Sequence, residues 1–308
     1  MDNKTLEFRY YDMPTPEPII IFHGPHWRRN YGVDAPNLHF HNILEIGVCR
    51  EGFGRMLYED CEKEYHAGSV SIVPKNVPHN TLNEVGEYAL WDYIFIDEDH
   101  YINHANYNKN FIQKALERID SRHTLFDQSE FPEFVPLIDC IIREHEANKP
   151  YMRETIAALT TSVLMVIARI NRDYDSTLSP EQKYASRLLA DCLRFVDEHY
   201  HEPIGIPELS ASVHISERFL RKIFRNHINM APLDYINLVR IRKSCEMLQR
   251  TDESIDVIAF KCGFSTPSTF NRNFRRYLGE TPSKWRKNYI ETDNLGIGMQ
   301  VQTLQGWY

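Results

Sequence analysis

Apolar positions change their spacing once along this chain. Residues 17 to about 97 run as short β-branched or aromatic segments: Ile19-Ile20-Ile21-Phe22, Ile43 to Val48, Gly54 to Tyr58, Ser69 to Val73 and Tyr88 to Ile96. Gly24-Pro25, Glu51-Gly52, Ala67-Gly68 and Pro74-Lys75-Asn76-Val77-Pro78 punctuate them, the composition of turns between strands. Many short strands at regular spacing predict a small antiparallel barrel or sandwich. From about residue 107 the spacing becomes helical. Phe111, Ala115, Leu116 and Ile119 share one face, as do Phe134, Leu137, Ile138, Ile141 and Ile142. A third helix is predicted over Met152 to Asp173, with Ile156, Leu159, Val163, Val166, Ile167 and Ile170 on a wide apolar face. Tyr174 to Pro180 is polar, ends in proline and marks the strongest domain boundary.

Past that boundary the pattern repeats itself. Phe224-Arg225, Ile228, Asn229, Pro232 and Tyr235 match Phe274-Arg275, Leu278, Gly279, Pro282 and Trp285 at a fixed offset. Upstream, Ile206, Leu209, Ile215 and Ser216 match Ile255, Ile258, Phe264 and Ser265 with the offset one residue shorter. Each copy predicts a short amphipathic helix opened by Pro207 or Ser254 and ending at Val213 or Cys262. A tight turn follows, with Gly263 supplying a left-handed residue in the second copy. Ser216 and Ser265 are placed to cap a second, basic helix, which stops at Asn229 or Gly279. Helix, turn and capped basic helix form the helix-turn-helix pattern. One long helix, Leu233 to Gln249, is predicted between the copies with Leu238, Ile241, Cys245 and Leu248 inward.

Charge sharpens this division. The whole chain of 308 residues is acidic, with formal net charge −8. Residues 184–290 nevertheless hold 17 Lys/Arg against 12 Asp/Glu, leaving 18 against 31 elsewhere. A basic part on an acidic chain points to one polyanion-binding half. Near the start of the first basic helix, Arg218, Arg221 and Lys222 are placed to reach base edges; Ser268, Asn271 and Arg272 hold similar places in the second. Arg225, Arg275 and Arg276 lie further along and are assigned to phosphate.

Residues 184–290 resemble the DNA-binding domain of the AraC/XylS family of transcription regulators. The second copy carries the resemblance: Ile258-Ala259, Gly263-Phe264-Ser265, Phe270-Asn271-Arg272-Asn273-Phe274-Arg275 and Gly279-Glu280-Thr281-Pro282-Ser283-Lys284-Trp285-Arg286 follow the family signature. His214, Asn229 and Lys222 depart from it in the first copy. The resemblance implies sequence-specific binding to double-stranded DNA and no enzymatic activity. It also implies RNA polymerase as a partner if the protein activates transcription.

The N-terminal half holds a second constellation. His39, His41 and Glu45, followed by Gly52, read H-x-H-x3-E-x6-G; Gly68, Pro74, His79 and Asn83 read G-x5-P-x4-H-x3-N. Both resemble the motifs of the cupin superfamily of small barrels, with Asn76 where glycine is usual. In a strand His39, His41 and Glu45 point to one face, and His79 on a facing strand would complete a set suited to a divalent transition metal. An organic effector fits the same barrel: Trp91 and Tyr93 alternate to one face and suit a sugar or similar polar molecule. A structural role for all six residues is equally compatible with the spacing.

The expected fold class is therefore α+β. Residues 1–106 form a cupin-like sensing barrel, 107–173 a helical segment in which 131–173 forms a homodimer, and 174–183 a linker. Residues 184–290 form a DNA-binding domain with two helix-turn-helix units, and 291–308 a tail. The competing class is a metal-dependent cupin enzyme on His39, His41, Glu45 and His79, which leaves the duplicated basic helices unexplained. Six cysteines at 49, 61, 140, 192, 245 and 262 suit neither a disulfide framework nor a cysteine zinc site. The polar opening Met1-Asp2-Asn3-Lys4, with no apolar stretch after it and none of membrane length elsewhere, gives the expectation of a cytoplasmic protein outside the membrane.

Overall fold

The computed structural model describes residues 5–11, 18–29, 37–58, 61–75, 77–104, 108–120, 122, 124–175, 180–228, 230–293 and 301–302. The chain divides into two compact units, residues 1–6 with 13–178, and 7–12 with 179–308.

β1 (Thr5–Tyr11) is divided between the two units. In the first unit the chain alternates sides as a half-buried sheet requires. Its strands are β2 (Ile19–Phe22), β3 (Arg28–Arg29), β4 (Asn37–His41), β5 (Leu44–Glu51), β6 (Phe53–Tyr58), β7 (Glu62–His66), β8 (Ser69–Val73), β9 (His79–Leu82), β10 (Ala89–Ile96) and β11 (Thr124–Asp127). They pair antiparallel in two sheets, one ordered β11-β8-β5-β10-β2 with β3 also on β10, the other running β4-β9-β6-β7. Leu44, Ile46, Val48, Val70, Ile72, Ile94 and Ile96 face the helices α1 (Glu98–His104), α2 (Lys109–Ile119), α3 (Phe134–Ala147) and α4 (Met152–Asp175) in one core. The alternate positions Cys49, Val73, Ala89 and Trp91 meet Met56, Tyr58 and Tyr65 in a second core between the sheets.

Closure into a barrel is not observed among the described strands. β11 occupies the edge of β8 and β2 the edge of β10, so the edges that closure would use carry strands of the same sheet. β11 falls within the stretch expected to be helical. Its Leu125 and Phe126 pair with Ser71 and Val70, and this non-local ladder decides its conformation. Met152–Arg172 of α4 is long and apolar enough to span a bilayer by length and composition, contrary to the expectation from sequence, with half of it buried. Val163, Leu164, Ile167 and Ile170 contribute to the core.

Seven helices make up the described C-terminal unit: α5 (Pro180–His199), α6 (Ile206–Ser212), α7 (Glu217–Ile228), α8 (Pro232–Arg250), α9 (Ile255–Lys261), α10 (Pro267–Leu278) and α11 (Pro282–Asp293). Leu209, Leu220, Phe224, Ile258, Phe270, Phe274 and Trp285 are buried, as are Leu238, Ile241, Cys245 and Leu248 on α8. In the terminal segments, Val301–Gln302 (β12) pairs with β1, Tyr10 opposite Gln302 and Tyr11 opposite Val301. All six cysteines are free thiols.

Candidate nucleic-acid interface and sensor cluster

The two copies of the repeat build the same turn. After α6, His214 and Ile215 donate their backbone N–H groups to the carbonyls of Ala211 and Ser210; after α9, Gly263 and Phe264 donate to those of Phe260 and Ala259. His214 takes φ +56° and Gly263 φ +81°, so both turns pass through a left-handed residue. α6 starts with Glu208 accepting from the Gly205 N–H at 2.9 Å, and α9 with Ser254 accepting from Val257 N–H. Ser216 Oγ accepts from Phe219 N–H at 3.2 Å, capping α7. The expected cap of the next basic helix, Ser265, is displaced: Thr266 accepts from Thr269 N–H at 3.2 Å. Ser265 is thus the inserted residue, and Thr266 is the true partner of Ser216. Gly279 ends α10 at φ +75°; Asn229 lies outside the described residues.

Each basic helix buries one face and exposes the other. Leu220, Ile223 and Phe224 anchor α7, while Arg218, Arg221, Lys222 and Arg225 are exposed. Arg221 pairs with Glu217 one turn back at 3.0 Å. On α10, Phe270, Asn273, Phe274, Tyr277 and Leu278 are buried; Ser268, Arg272, Arg275 and Arg276 are exposed and Asn271 is half-buried. Asn271, Arg272, Arg275 and Arg276 line a shallow concavity of about 460 Å³. Two of these side chains are engaged within the domain. Asn271 Nδ2 donates to Pro267 O at 2.8 Å, and Arg276 Nη1 donates to Asp234 Oδ1 at 2.7 Å, binding α10 to α8. Asp234 lies 42 residues from Arg276, and nothing local in the sequence signals that bond.

The histidines and Glu45 of the N-terminal half converge between the sheets. His39 opposes His79 across β4 and β9, and their rings are 4.3 Å apart, with His41 5.0 Å from His79. Glu45 Oε2 lies 3.2 Å from His41 Nε2 and 3.5 Å from His79 Nε2. All four are buried. His39, Glu45 and His79 each offer a ligand atom, all within 4.8 Å of one another; His41 falls outside that trio. Backbone carbonyls of Ile43 and Val77 accept from Nδ1 of His41 and His79 at 2.7 and 2.9 Å. Those bonds leave Nε2 of each neutral ring as an acceptor facing the carboxylate, and metal-binding histidines are commonly oriented by such an Nδ1–H bond to a backbone carbonyl. Burial pushes His41 below its usual pKa, against the pull of Glu45. Burial would raise Glu45, but His79 and His41 override it and hold the carboxyl well below the usual range. Acceptors converging on an ionised carboxylate call for a cation between them, either a second proton on a ring or a divalent ion.

An aromatic ladder leads from the inter-sheet core to this cluster. Trp91 is fully buried and meets Tyr65 edge-on at 4.9 Å. Half-buried Tyr93 stacks between Trp91 and Phe95 at 5.7 and 6.2 Å, and Phe95 meets His41 edge-on at 5.8 Å. Ser71 Oγ and Trp91 Nε1 are buried with no hydrogen-bond partner among the described residues. Ser71 was not singled out by the sequence; its register opposite Gly47, beside Tyr93, brings it here. Asn83 has a structural role, donating to Tyr65 OH and Phe53 O at 2.8 Å. Asn76 lies outside the described residues.

Residues 209–288 match the family model described as "Helix-turn-helix domain". The chain is similar to the Msm operon regulatory protein of Streptococcus mutans, 23% identical over 266 residues that cover 86% of each chain. It is also similar to the HTH-type transcriptional activator RhaR of Mannheimia succiniciproducens, 24% identical over 272 residues, 86% of this chain and 91% of that one. Among solved structures it is similar to the DNA-binding domain of AdpA in complex with a target DNA, with 31% identity over 34% of this chain and 96% of that one, TM-score 0.34. ToxT from Vibrio cholerae is another, with 14% identity over 91% and 95% of the chains, TM-score 0.42. The matched domain and the regulators aligned along the chain agree with the repeat and its exposed basic faces: this protein is a DNA-binding transcription regulator of the AraC family.

Proposed function

We propose that the α6–α7 and α9–α10 pairs are two DNA-binding helix-turn-helix units, with α7 and α10 entering successive major-groove segments about 34 Å apart. The observation that carries this reading is the repeated turn geometry, which exposes a basic face on both second helices. Arg218, Arg221 and Lys222 in one unit and Ser268, Asn271 and Arg272 in the other read base edges. Arg225 and Arg275 hold phosphate. Arg276 is assigned to phosphate from sequence; its bond to Asp234 supports a positioning role instead.

The N-terminal half is the sensing half of this proposal. Its effector is a small polar molecule seated between the sheets against Tyr93 and Trp91, and a sugar has the required chemistry. The buried, unpartnered Ser71 Oγ and Trp91 Nε1 support a polar ligand, which would supply their missing partners. A divalent transition metal on His39, Glu45 and His79, with His41 beside them, is the second reading, favoured by the facing acceptors. The metal would supply positive charge that fixes the strands β4, β5 and β9; no reaction is assigned to it. Homodimerisation through 131–173, across α3 and α4, would present paired DNA-binding domains, and an activator would also engage RNA polymerase.

The test is selection of duplexes from a random pool by the full-length protein, followed by footprinting. Two protected segments one helical turn apart are expected. Arg221→Ala should weaken binding by about tenfold and relax one or two base positions. A protein that selects no sequence, or an Arg221→Ala protein with unaltered preference, refutes the assignment.

A further inference from the structure

We infer that Arg240 is the clasp that sets the spacing and orientation of the two helix-turn-helix pairs, a positioning residue for DNA recognition. The inference rests on the two-unit reading above.

Arg240 lies in the middle of α8, whose Ile236, Leu238, Val239, Ile241 and Cys245 are all buried, and it is itself only 7% exposed. Burying a guanidinium carries a large desolvation cost unless its donors are satisfied. Its partners among the described residues are backbone carbonyls. Nε donates to Tyr200 O at 2.8 Å, and Nη2 donates to Glu202 O at 2.7 Å and Ile204 O at 3.4 Å. Those carbonyls follow the last residue of α5, His199, and precede the first of α6, Ile206. A helix end leaves carbonyls without intrahelical donors and favours a cation. The planar fork of Arg240 therefore ties the entry of the first pair to α8.

The second pair meets the same guanidinium. A Cβ on Gly263, the left-handed residue of its turn, would clash with Tyr200 O and would itself lie 2.9 Å from Arg240 Nε and 3.1 Å from His201 C. The Phe264 ring centroid is 5.8 Å from Arg240 Cζ. Two elements thus converge on this side chain of α8: the entry of the first pair and the turn of the second pair. A helix such as α8 fixes the distance between its ends but leaves the bodies attached there free to rock. The clasp removes that freedom by joining the pairs directly. Lysine keeps the charge but lacks the fork that spans two carbonyls.

A clasp of this kind has a readout that general destabilisation does not share. The duplex selected by the full-length wild-type protein is extended by one, two and three base pairs between its protected segments. Affinity for each duplex is measured for wild type, Arg240→Met, Arg240→Lys and Gly263→Ala, with folding checked by circular dichroism. Wild type should lose about tenfold or more at the first insertion. Arg240→Met should bind the parent duplex about tenfold more weakly, yet vary by only about threefold across the series. Gly263→Ala should flatten the series too, by forcing the pairs apart, and Arg240→Lys should fall between it and wild type. If Arg240→Met does not fold, the Lys and Ala variants decide. Folded variants that keep the wild-type spacing ratio overturn the clasp, whatever their absolute affinity. A wild-type footprint of one segment overturns both the two-unit reading and the clasp.

Discussion

Adjacent arginines on α10 should behave differently on DNA, because one of them is already paired. Arg275 and Arg276 are both exposed at the edge of the same concavity. Arg276 Nη1 lies 2.7 Å from Asp234 Oδ1, whereas Arg275 has no ion pair among the described residues. A cation that neutralises one phosphate contributes about 0.9 to the slope of log affinity against log salt. Arg275→Ala should therefore flatten that slope by about 0.9, and between 50 and 200 mM salt the variant should lose about threefold less affinity than wild type. Arg276→Ala removes a charge that Asp234 already offsets, so its slope should change by less than about 0.3. Its cost is the α10–α8 contact; with both partners partly exposed this is worth about 0.5 kcal/mol.

Asp234→Asn supplies the converse. It frees the Arg276 guanidinium and should steepen the slope by up to about 0.9. Fluorescence anisotropy on one selected duplex, titrated at five salt concentrations, measures all four proteins. Equal flattening in Arg275→Ala and Arg276→Ala, with no change in Asp234→Asn, would refute the pairing argument. It would mean that DNA draws Arg276 away from Asp234.

The first unit supplies two further tests. Lys75 Nζ faces three carboxylates, Asp99 at 2.8 Å, Glu98 at 3.0 Å and Asp120 at 3.1 Å; burial pushes Glu98 and Asp120 above the usual carboxylate range. The folded state then binds more protons than the unfolded chain, so this cluster stabilises at low pH and loses that contribution as pH rises past about 4 toward the folded values. Glu98→Gln should raise Tm by about 2–4 °C at pH 8 and less at pH 5; an unchanged Tm at pH 8 would refute the burial argument. His41, shifted down, works the other way and destabilises as pH falls below about 6.5, which is why the variant is compared with wild type at each pH. For the histidine cluster, zinc or manganese added to metal-stripped full-length protein should raise Tm in wild type but not in Glu45→Gln or His79→Ala. Stripped and loaded wild type that melt together, with no metal retained, would leave a shared proton as the cation between those acceptors.

How far the sequence reached depended on whether a feature was periodic or pairwise. Leu44, Ile46 and Val48 alternate, and Leu238, Ile241, Cys245 and Leu248 recur at helical spacing, so strand β5 and helix α8 were readable from pattern alone. The duplicated turns were readable because both copies preserve their plugs, Ile215 and Phe264. β4, β7 and β9 are short and rich in histidine, asparagine and charge, and only their partners make them strands. β11 was hidden for the same reason. The histidine cluster was legible as spacing within β4 and β5, yet the trio of His39, Glu45 and His79 depends on the pairing of β4 with β9, and the His41 ring stands 6.3 Å from that of His39. Arg240 looked like an ordinary basic residue on a helix, and Arg276 read as a phosphate contact. Their roles belong to residues some forty positions away.

The one place where the repeat breaks its own rule follows from the same distinction. Both turns need a left-handed residue, and in a non-glycine residue that conformation costs about 1 kcal/mol. The first copy accepts the cost, with exposed His214 at φ +56° beside an open cleft of about 380 Å³ lined by Leu188, Phe195 and Val213. The second copy uses glycine, and backbone angle is only half the reason. A Cβ on Gly263 would strike Tyr200 O at the entry of the first pair, whereas His214 has space for a full imidazole. The glycine is therefore demanded by contact between the pairs as well as by the turn, and only the second turn makes that contact. Substituting this glycine perturbs the joint between the two pairs, while the equivalent position in the first copy carries a side chain without disturbing it.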